Sequence, residues 1–566
     1  MDKQSAAEII RKTFENPFEK EQFIYFVKNL FNNLDETKAF HARGYVKEKY
    51  KKAVEIIKTY ERIGSYADPE GKKIDALIVY LNKKDSIERA RTTLRNFVAD
   101  YLKTRGEKDA ALVAFVSPNP QDWRFSLVKM DYRFEEGKHG KIRIKEEFTS
   151  ARRWSFLVGE NEPNHTAQQQ LIPLLQDDIN NPTLDQLEKA FSIEKVTKEF
   201  LNKYRGLYLQ LKESMDKILS KDKAIKEEFE RKEINTINFC KKLLGQIVFL
   251  YFLQKKGWLG VPQDKNWGEG DKNFLRSLFN KCDRENKNFF NDYLEFLFYD
   301  ALNNEHRGGA DSSIYPRFNC KIPFLNGGLF EPINNYNWKR TDIVIPDTLF
   351  SNTEKTKEGD IGSGILDIFD RFNFTVREDE PLEKEVALDP ELLGKVFENL
   401  IEENLRKGQG AYYTPREIVH YMCQQSLINY LYTELNQGTT SYETLGEKQL
   451  DAFGNTGKQG QNSLVIEHGS SSVILKEDIE ILIKYGDIII EHDKLVITKK
   501  EENLQYKYKK MQIPETIKDN AKLIDDKLKN IRVCDPAVGS GAFPIGMLLE
   551  IIKARNVLTN YICHSR

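Results

Sequence analysis

The spacing of hydrophobic positions divides the chain into blocks of different period. Ile74 to Leu81 is apolar apart from Asp75 and fits a buried strand, and Ala110 to Val116 fits another. Between them, over Ser86 to Lys103, Ile87, Ala90, Leu94, Phe97, Val98 and Tyr101 recur at helical spacing and make one apolar face. Trp123 to Phe134 and Lys141 to Phe148 alternate as half-exposed strands do. Residues 1–180 therefore read as a compact α/β domain. From 181 to 385 helical periods dominate, broken by polar loops such as Asn303 to Asp311, and the aromatic run Phe249 to Phe252 reads as helix core. Residues 386–566 begin helically, over Val386 to Leu435, and are interrupted at 436–500. There Asn436 to Ser472 is rich in Gly, Ser, Thr, Asn and Gln and reads as loop. Val473 to Thr498, with Ile488-Ile489-Ile490 ahead of the turn signal His492-Asp493, predicts a small β-rich insertion. Helical Asn520 to Leu528 then leads to a short apolar strand ending at Asp535, and an apolar helix follows around Met547 to Ile552. The fold class is α/β and mostly helical multidomain, with no internal repeat.

Composition changes this picture little. At 566 residues the chain exceeds one core, and roughly 150 residues per domain gives three or four. The net charge is −1 with 31% charged residues, so no global basic field announces a nucleic acid. Six cysteines, at 240, 282, 320, 423, 534 and 563, make no Cys-x-x-Cys pair, which favours reduced thiols over structural zinc. Eight dispersed histidines, His165 among them, offer no metal-ligand spacing. Met1-Asp2-Lys3 opens directly into the helical pattern Ala6 to Phe14, and the longest apolar run, Ile247 to Leu253, is too short for a bilayer. The expectation is a cytoplasmic protein with no membrane partner.

The candidate chemistry lies near the C-terminus. In Ile531-Arg532-Val533-Cys534-Asp535-Pro536-Ala537-Val538-Gly539-Ser540-Gly541-Ala542-Phe543, glycines 539 and 541 let the backbone turn sharply and approach a ligand. The following helix presents unpaired N–H groups at its start, and Asp535 can accept hydrogen bonds from a cationic or hydroxyl-bearing ligand. A dinucleotide loop is one alternative, but Pro544 follows Phe543 where its third glycine would fall. Upstream, Gly408-Gln409-Gly410-Ala411-Tyr412-Tyr413-Thr414-Pro415-Arg416-Glu417 reads as a helix start. Thr414 is placed as N-cap, Pro415 at the first helical position and Glu417 three residues after the cap.

Asp-Pro-Ala-x-Gly-Ser-Gly-Ala-Phe resembles the S-adenosylmethionine-binding motif of DNA methyltransferases that modify the exocyclic amine of adenine. The Tyr-Thr-Pro segment is similar to the one that precedes that motif in the same enzymes. The resemblance implies a cofactor site of Tyr413, Thr414, Pro415, Asp535, Pro536, Gly539 and Gly541, at the start of a Rossmann-like class I methyltransferase domain. Leu388 to Leu400, Pro323 to Phe330 and Phe249 to Leu259 resemble segments of large fused restriction–modification enzymes, often called type IIG. That likeness implies a restriction-endonuclease-like α/β domain at 1–180, a helical connector at 181–385 and the N-terminal part of the methyltransferase at 386–566. Double-stranded DNA becomes the expected partner on this ground alone.

A nuclease of that kind holds Mg2+ on carboxylates with a lysine nearby. Asp75, with Lys83 beyond its strand, follows that arrangement imperfectly, because Leu81 stands where a second carboxylate is expected. Glu88 is the substitute, and a surface Asp with solvated lysines is the alternative. Arg89, Arg91 and Arg95 are candidates for DNA phosphate.

Adenine methyltransferases also need an Asp/Asn-Pro-Pro-aromatic motif to orient the amine and stack the flipped base. No Pro-Pro dipeptide occurs here, so the methyl-transfer residues remain unassigned. The expectation is that a C-terminal methyltransferase and target-recognition polypeptide completes the domain and that this chain alone does not methylate DNA. Two other readings stay open: a non-catalytic, partner-dependent subunit or remnant, and a methyltransferase acting on RNA or protein.

Overall fold

Two near-continuous apolar runs become adjacent central strands, as their pattern predicts. The computed structural model describes the chain apart from residues 43–54, 83–89, 105–107, 132–133, 137–141, 145–149, 178–180, 305–312, 326–327, 357–359, 377–382, 391–393, 395–413, 415, 437–473, 501–511, 537, 539–540 and 563–566. It falls into two units, Met1–Tyr412 and Tyr413–Arg566.

The first unit opens with helices α1 (Lys3–Phe14) and α2 (Lys20–Leu30), followed by strands β1 (Phe40–Ala42), β2 (Ile57–Ala67) and β3 (Lys73–Leu81). Helix α3 (Arg91–Thr104) crosses to β4 (Ala110–Val116), and β5 (Asp122–Asp131), the short β6 (Phe134–Glu136) and β7 (Ile142–Ile144), and β8 (Ser150–Gly159) follow. The seven-stranded sheet has the order β1-β2-β3-β4-β5-β8-β11, where β11 (Glu383–Glu385) returns from far along the chain. β3 and β4 are parallel, as a helical crossover requires, and β11 is parallel to β8. The other pairings in this sheet are antiparallel.

Alternation along the strands gives the sheet two different faces. Ile74, Ala76, Ile78, Leu112, Ala114, Phe125 and Leu127 join Ile10, Phe14, Phe23 and Phe26 of α1 and α2 in the large core. Leu77, Val79, Val113, Phe115 and Val128 pack with Leu94, Phe97, Val98 and Leu102 of α3 alone. Asp75 belongs by alternation to the α3 face. The large core runs from Ala6 to Leu388, so the first two sequence blocks share one hydrophobic cluster.

The connector contributes α4 (His165–Gln176), α5 (Leu184–Ala190), α6 (Ile193–Lys221), α7 (Lys223–Arg231), α8 (Thr236–Lys255) and α9 (Phe274–Arg284). α8 has the length and apolarity of a membrane span, but Leu243, Leu244, Ile247, Val248 and Leu250 lie in the shared core. Phe249 to Phe252 falls within α8, with Leu250, Tyr251 and Phe252 in that cluster. Phe290–Leu294 and Phe296–Leu302 form wide π turns flanking Glu295. Glu295 is buried and accepts a hydrogen bond from the Tyr336 hydroxyl at 2.6 Å. Burial pushes its carboxyl well above the ordinary range, assisted by Asp342 and Asp292, against the Tyr336 hydrogen bond. The minor strands β9 (Ile314–Tyr315) and β10 (Cys320–Lys321) and helix α10 (Ile365–Phe369) complete this unit.

The described part of the second unit is helical: α11 (Arg416–Leu435), α12 (Lys476–Lys500), α13 (Glu515–Asp519), α14 (Ala521–Lys529) and α15 (Ala542–Ile562). Two expectations are corrected here. The β-rich insertion at Val473 to Thr498 is the helix α12. Ile479, Leu482 and Ile483 recur at helical spacing and bury against Leu427 and Leu431 of α11 and Leu558 of α15. This packing overrides the strand preference of the isoleucine run. The segment Ile531 to Asp535 is no strand either. It joins no strand ladder among the described residues, and Val533 faces outward. No strand of the expected Rossmann-like domain is among the described residues of this unit.

Candidate functional site

The Asp-Pro loop and the helix behind it form the first candidate. Asp535 is half-buried, Pro536 is exposed, and Gly541 has φ +82, the left-handed conformation that favours glycine. The Gly541 N–H donates to the Val538 carbonyl at 2.7 Å and its own carbonyl accepts from Ile545 N–H at 3.1 Å, so Gly541 both closes the turn and starts α15. Thr414 is half-buried, two residues ahead of α11. Tyr413, Pro415 and Gly539 lie outside the described residues.

The helices behind the two segments are joined in a way the sequence reading missed. Gly546 is buried, and a Cβ there would meet Val419 Cγ1 at 2.8 Å, so α15 approaches α11 where only glycine fits. Glu550 of α15, 2% exposed, reaches the His420 Nδ1 at 2.7 Å and accepts from the Gln424 amide at 3.0 Å. Burial raises the Glu550 carboxyl, but His420, Lys553 and Gln424 outweigh it and hold it below the ordinary value. The spacing of His420 and Gln424, one helical turn apart, was the available signal. Beside this junction α15 exposes Ile545, Leu548 and Ile552, and α11 exposes Ile418, Tyr421 and Met422. Val557, further along α15, lies in the helical core.

Among the described residues the loop offers one acceptor and a helix start. Asp535 is an acceptor for hydroxyl or ammonium groups, and the loop ends on a helix N-terminus beside an open glycine, where the nearest atom to an added Cβ is Ile545 Cδ1 at 3.9 Å.

The second candidate, Asp75, is fully buried rather than a surface residue. It accepts from the Ser65 hydroxyl and from the Tyr101 hydroxyl at 2.9 Å, and pairs with Lys108 Nζ at 3.0 Å and Arg62 Nη1 at 3.3 Å. Burial alone would raise its carboxyl; Ser65, Lys108 and Tyr101 overcome this and hold it below the usual value. Lys83, Glu88 and Arg89 lie outside the described residues. Arg91 and Arg95, the other phosphate candidates, are turned inward. Arg91 and Arg124 pair with Glu385, and Arg95 and Arg153 with Glu383, which ties β11 onto β8. Burial lowers the Arg153 guanidinium to about 10, against the Glu383 charge. His165 bonds Glu199 at 2.9 Å.

Over 382 residues, 64% of its length, the chain is 25% identical to a Methanocaldococcus jannaschii protein named "Putative type II restriction enzyme and methyltransferase". The chain is similar to a restriction–modification protein. It spans about a quarter of that relative, 26% of its length. No family model matches the chain, and no solved structure matches it.

Proposed function

We propose that this chain carries the cofactor-binding part of an adenine-specific DNA methyltransferase of a restriction–modification or phage-defence system. The observation that carries the reading is the close packing of α11 on α15 through Gly546 and Glu550, which brings together the helices that follow Thr414 and Asp535. Asp535, the backbone around Gly541 and Thr414 would hold S-adenosylmethionine, with Tyr413, Pro415, Pro536 and Gly539 completing the pocket. When bound, the cofactor supplies an electrophilic methyl group for direct displacement by the amine. This chain's own part is to bind and orient it. Target adenine in double-stranded DNA would be presented by a partner polypeptide that carries the amine-orienting motif. The apolar stripe Ile545, Leu548 and Ile552 is the kind of surface that such a partner covers.

Ultraviolet cross-linking of labelled S-adenosylmethionine to the full chain, with competition by unlabelled cofactor, tests the reading. Specific, saturable labelling of the wild type that falls in Asp535→Ala is the expected result. Absence of specific labelling overturns the cofactor assignment, and equal labelling of both proteins removes Asp535 from the pocket.

A further inference from the structure

The environment of Asp75 disagrees with the metal site expected for it. Mg2+ takes near-octahedral oxygen ligands and usually keeps several of its waters. Asp75 has no exposure to water, and both of its oxygens are engaged by protein donors. Oδ1 accepts from the Ser65 hydroxyl and pairs with Lys108; Oδ2 accepts from Tyr101 and pairs with Arg62. A carboxylate offers about four lone-pair positions, and four donors converge on this one.

The donors close in from three directions. Arg62 and Ser65 stand on β2, Tyr101 on α3, and Lys108 just ahead of β4. Both cations are themselves held in place. Lys108 Nζ also donates to the Ser65 hydroxyl at 3.0 Å. Arg62 donates through Nε to the Lys38 carbonyl at 2.6 Å and lies over the Phe40 ring at 4.9 Å.

We propose that Lys108 and Arg62 are a built-in replacement for the divalent cation at Asp75, so that the N-terminal sheet binds no Mg2+ there and cleaves no DNA through Asp75. The carboxylate is a charge lock between β2, α3 and β4. This inference does not depend on cofactor binding by the second unit.

Fe2+ placed in solution of the full chain with ascorbate and peroxide cuts backbone near any site that takes Mg2+, and the wild type suffices. The expected result is no Mg2+-competed cutting around residues 62–75 and 101–108. Cutting there that excess Mg2+ suppresses would overturn the proposal. A second arm follows Mn2+ binding by electron spin resonance in wild type and Asp75→Asn. The same isotherm in both supports the lock, and a Mn2+ site lost in Asp75→Asn refutes it. In Lys108→Met, a Mn2+ site gained over wild type would show directly that the ammonium had filled the cation's place.

Discussion

Asp75 and Asp535 look alike in sequence, each an acid beside short apolar residues, and they have opposite surroundings. Asp75 is sealed under two cations and two hydroxyls within a sheet. Asp535 is half-buried on a loop whose neighbours Val533, Cys534 and Pro536 are exposed. A carboxylate taken out of water costs several kcal/mol unless donors replace its hydration. Where the fold has supplied every donor, the charge is committed to holding elements together. Asp535, half-buried on a loop with exposed neighbours, is not sealed into a sheet in that way.

The sharpest way to break this comparison is to delete both carboxylates. Asp75→Ala leaves Lys108 and Arg62 buried without their counter-charge. Removing one partner of a buried pair costs about 3–5 kcal/mol, and that loss is expected in denaturant unfolding of the first unit. Asp535→Ala, at a half-buried loop position, should cost less than that. Equal losses in the two variants would end the distinction.

Asp535→Ala should instead act on the ligand. Losing one hydrogen bond to a charged group costs about 1.5–3 kcal/mol, roughly ten- to a hundredfold in affinity. Calorimetry with S-adenosylmethionine reads this, and unchanged affinity would place Asp535 outside the pocket.

How far each site was legible follows from where its parts lie in the chain. β3 and β4 were readable because buried strands are continuous apolar runs, and Asp75 stood out as the one charge in such a run. Its donors did not stand out, since Ser65 lies 10 residues before it and Tyr101 26 after it, on different elements. Lys108, just ahead of β4, is likewise distant in sequence and gave no local signal. The glycine turn and helix start after Asp535 were legible because backbone sterics make them local. The His420–Glu550 contact spans 130 residues, and its one local trace was the helical-turn spacing of His420 and Gln424. Ile488 to Ile490 misled because β-branched residues express strand preference only where a sheet receives them.

Buried acids with and without cations extend the comparison to pH. Glu385, beside Arg124 and Arg91, is held at about 2 despite burial. Its stabilising contribution is present above the ordinary 4.5 and fades as pH falls from 4.5 toward 2. Glu295 is buried with the Tyr336 hydroxyl on it and the acids Asp342 and Asp292 behind, so its folded value lies well above 4.5. The native state then holds the extra proton, and stability falls as pH rises from 4.5 through that raised value. The slope is about 1.4 kcal/mol per pH unit inside the window. Glu295→Gln should flatten this fall in unfolding curves taken across pH and leave the acid-side loss unchanged. A wild-type slope that survives the substitution would mean the proton sits elsewhere.

The smallest expected effect isolates conformation from contact at the cofactor turn. A Cβ at Gly541 has room, its nearest neighbour being Ile545 Cδ1 at 3.9 Å, but the residue has φ +82. An L side chain in the left-handed region costs roughly 1–2 kcal/mol, less for Asn, which visits it more readily. Gly541→Ala should therefore loosen the start of α15, read as faster amide exchange at Ile545 and its neighbours, while Gly541→Asn keeps more of the protection. Because neither variant removes a packing contact, equal exchange in both would mean that backbone conformation at Gly541 does not hold the turn. The order wild type, Asn, Ala would show that it does, in the loop whose openness sets Asp535 apart from Asp75.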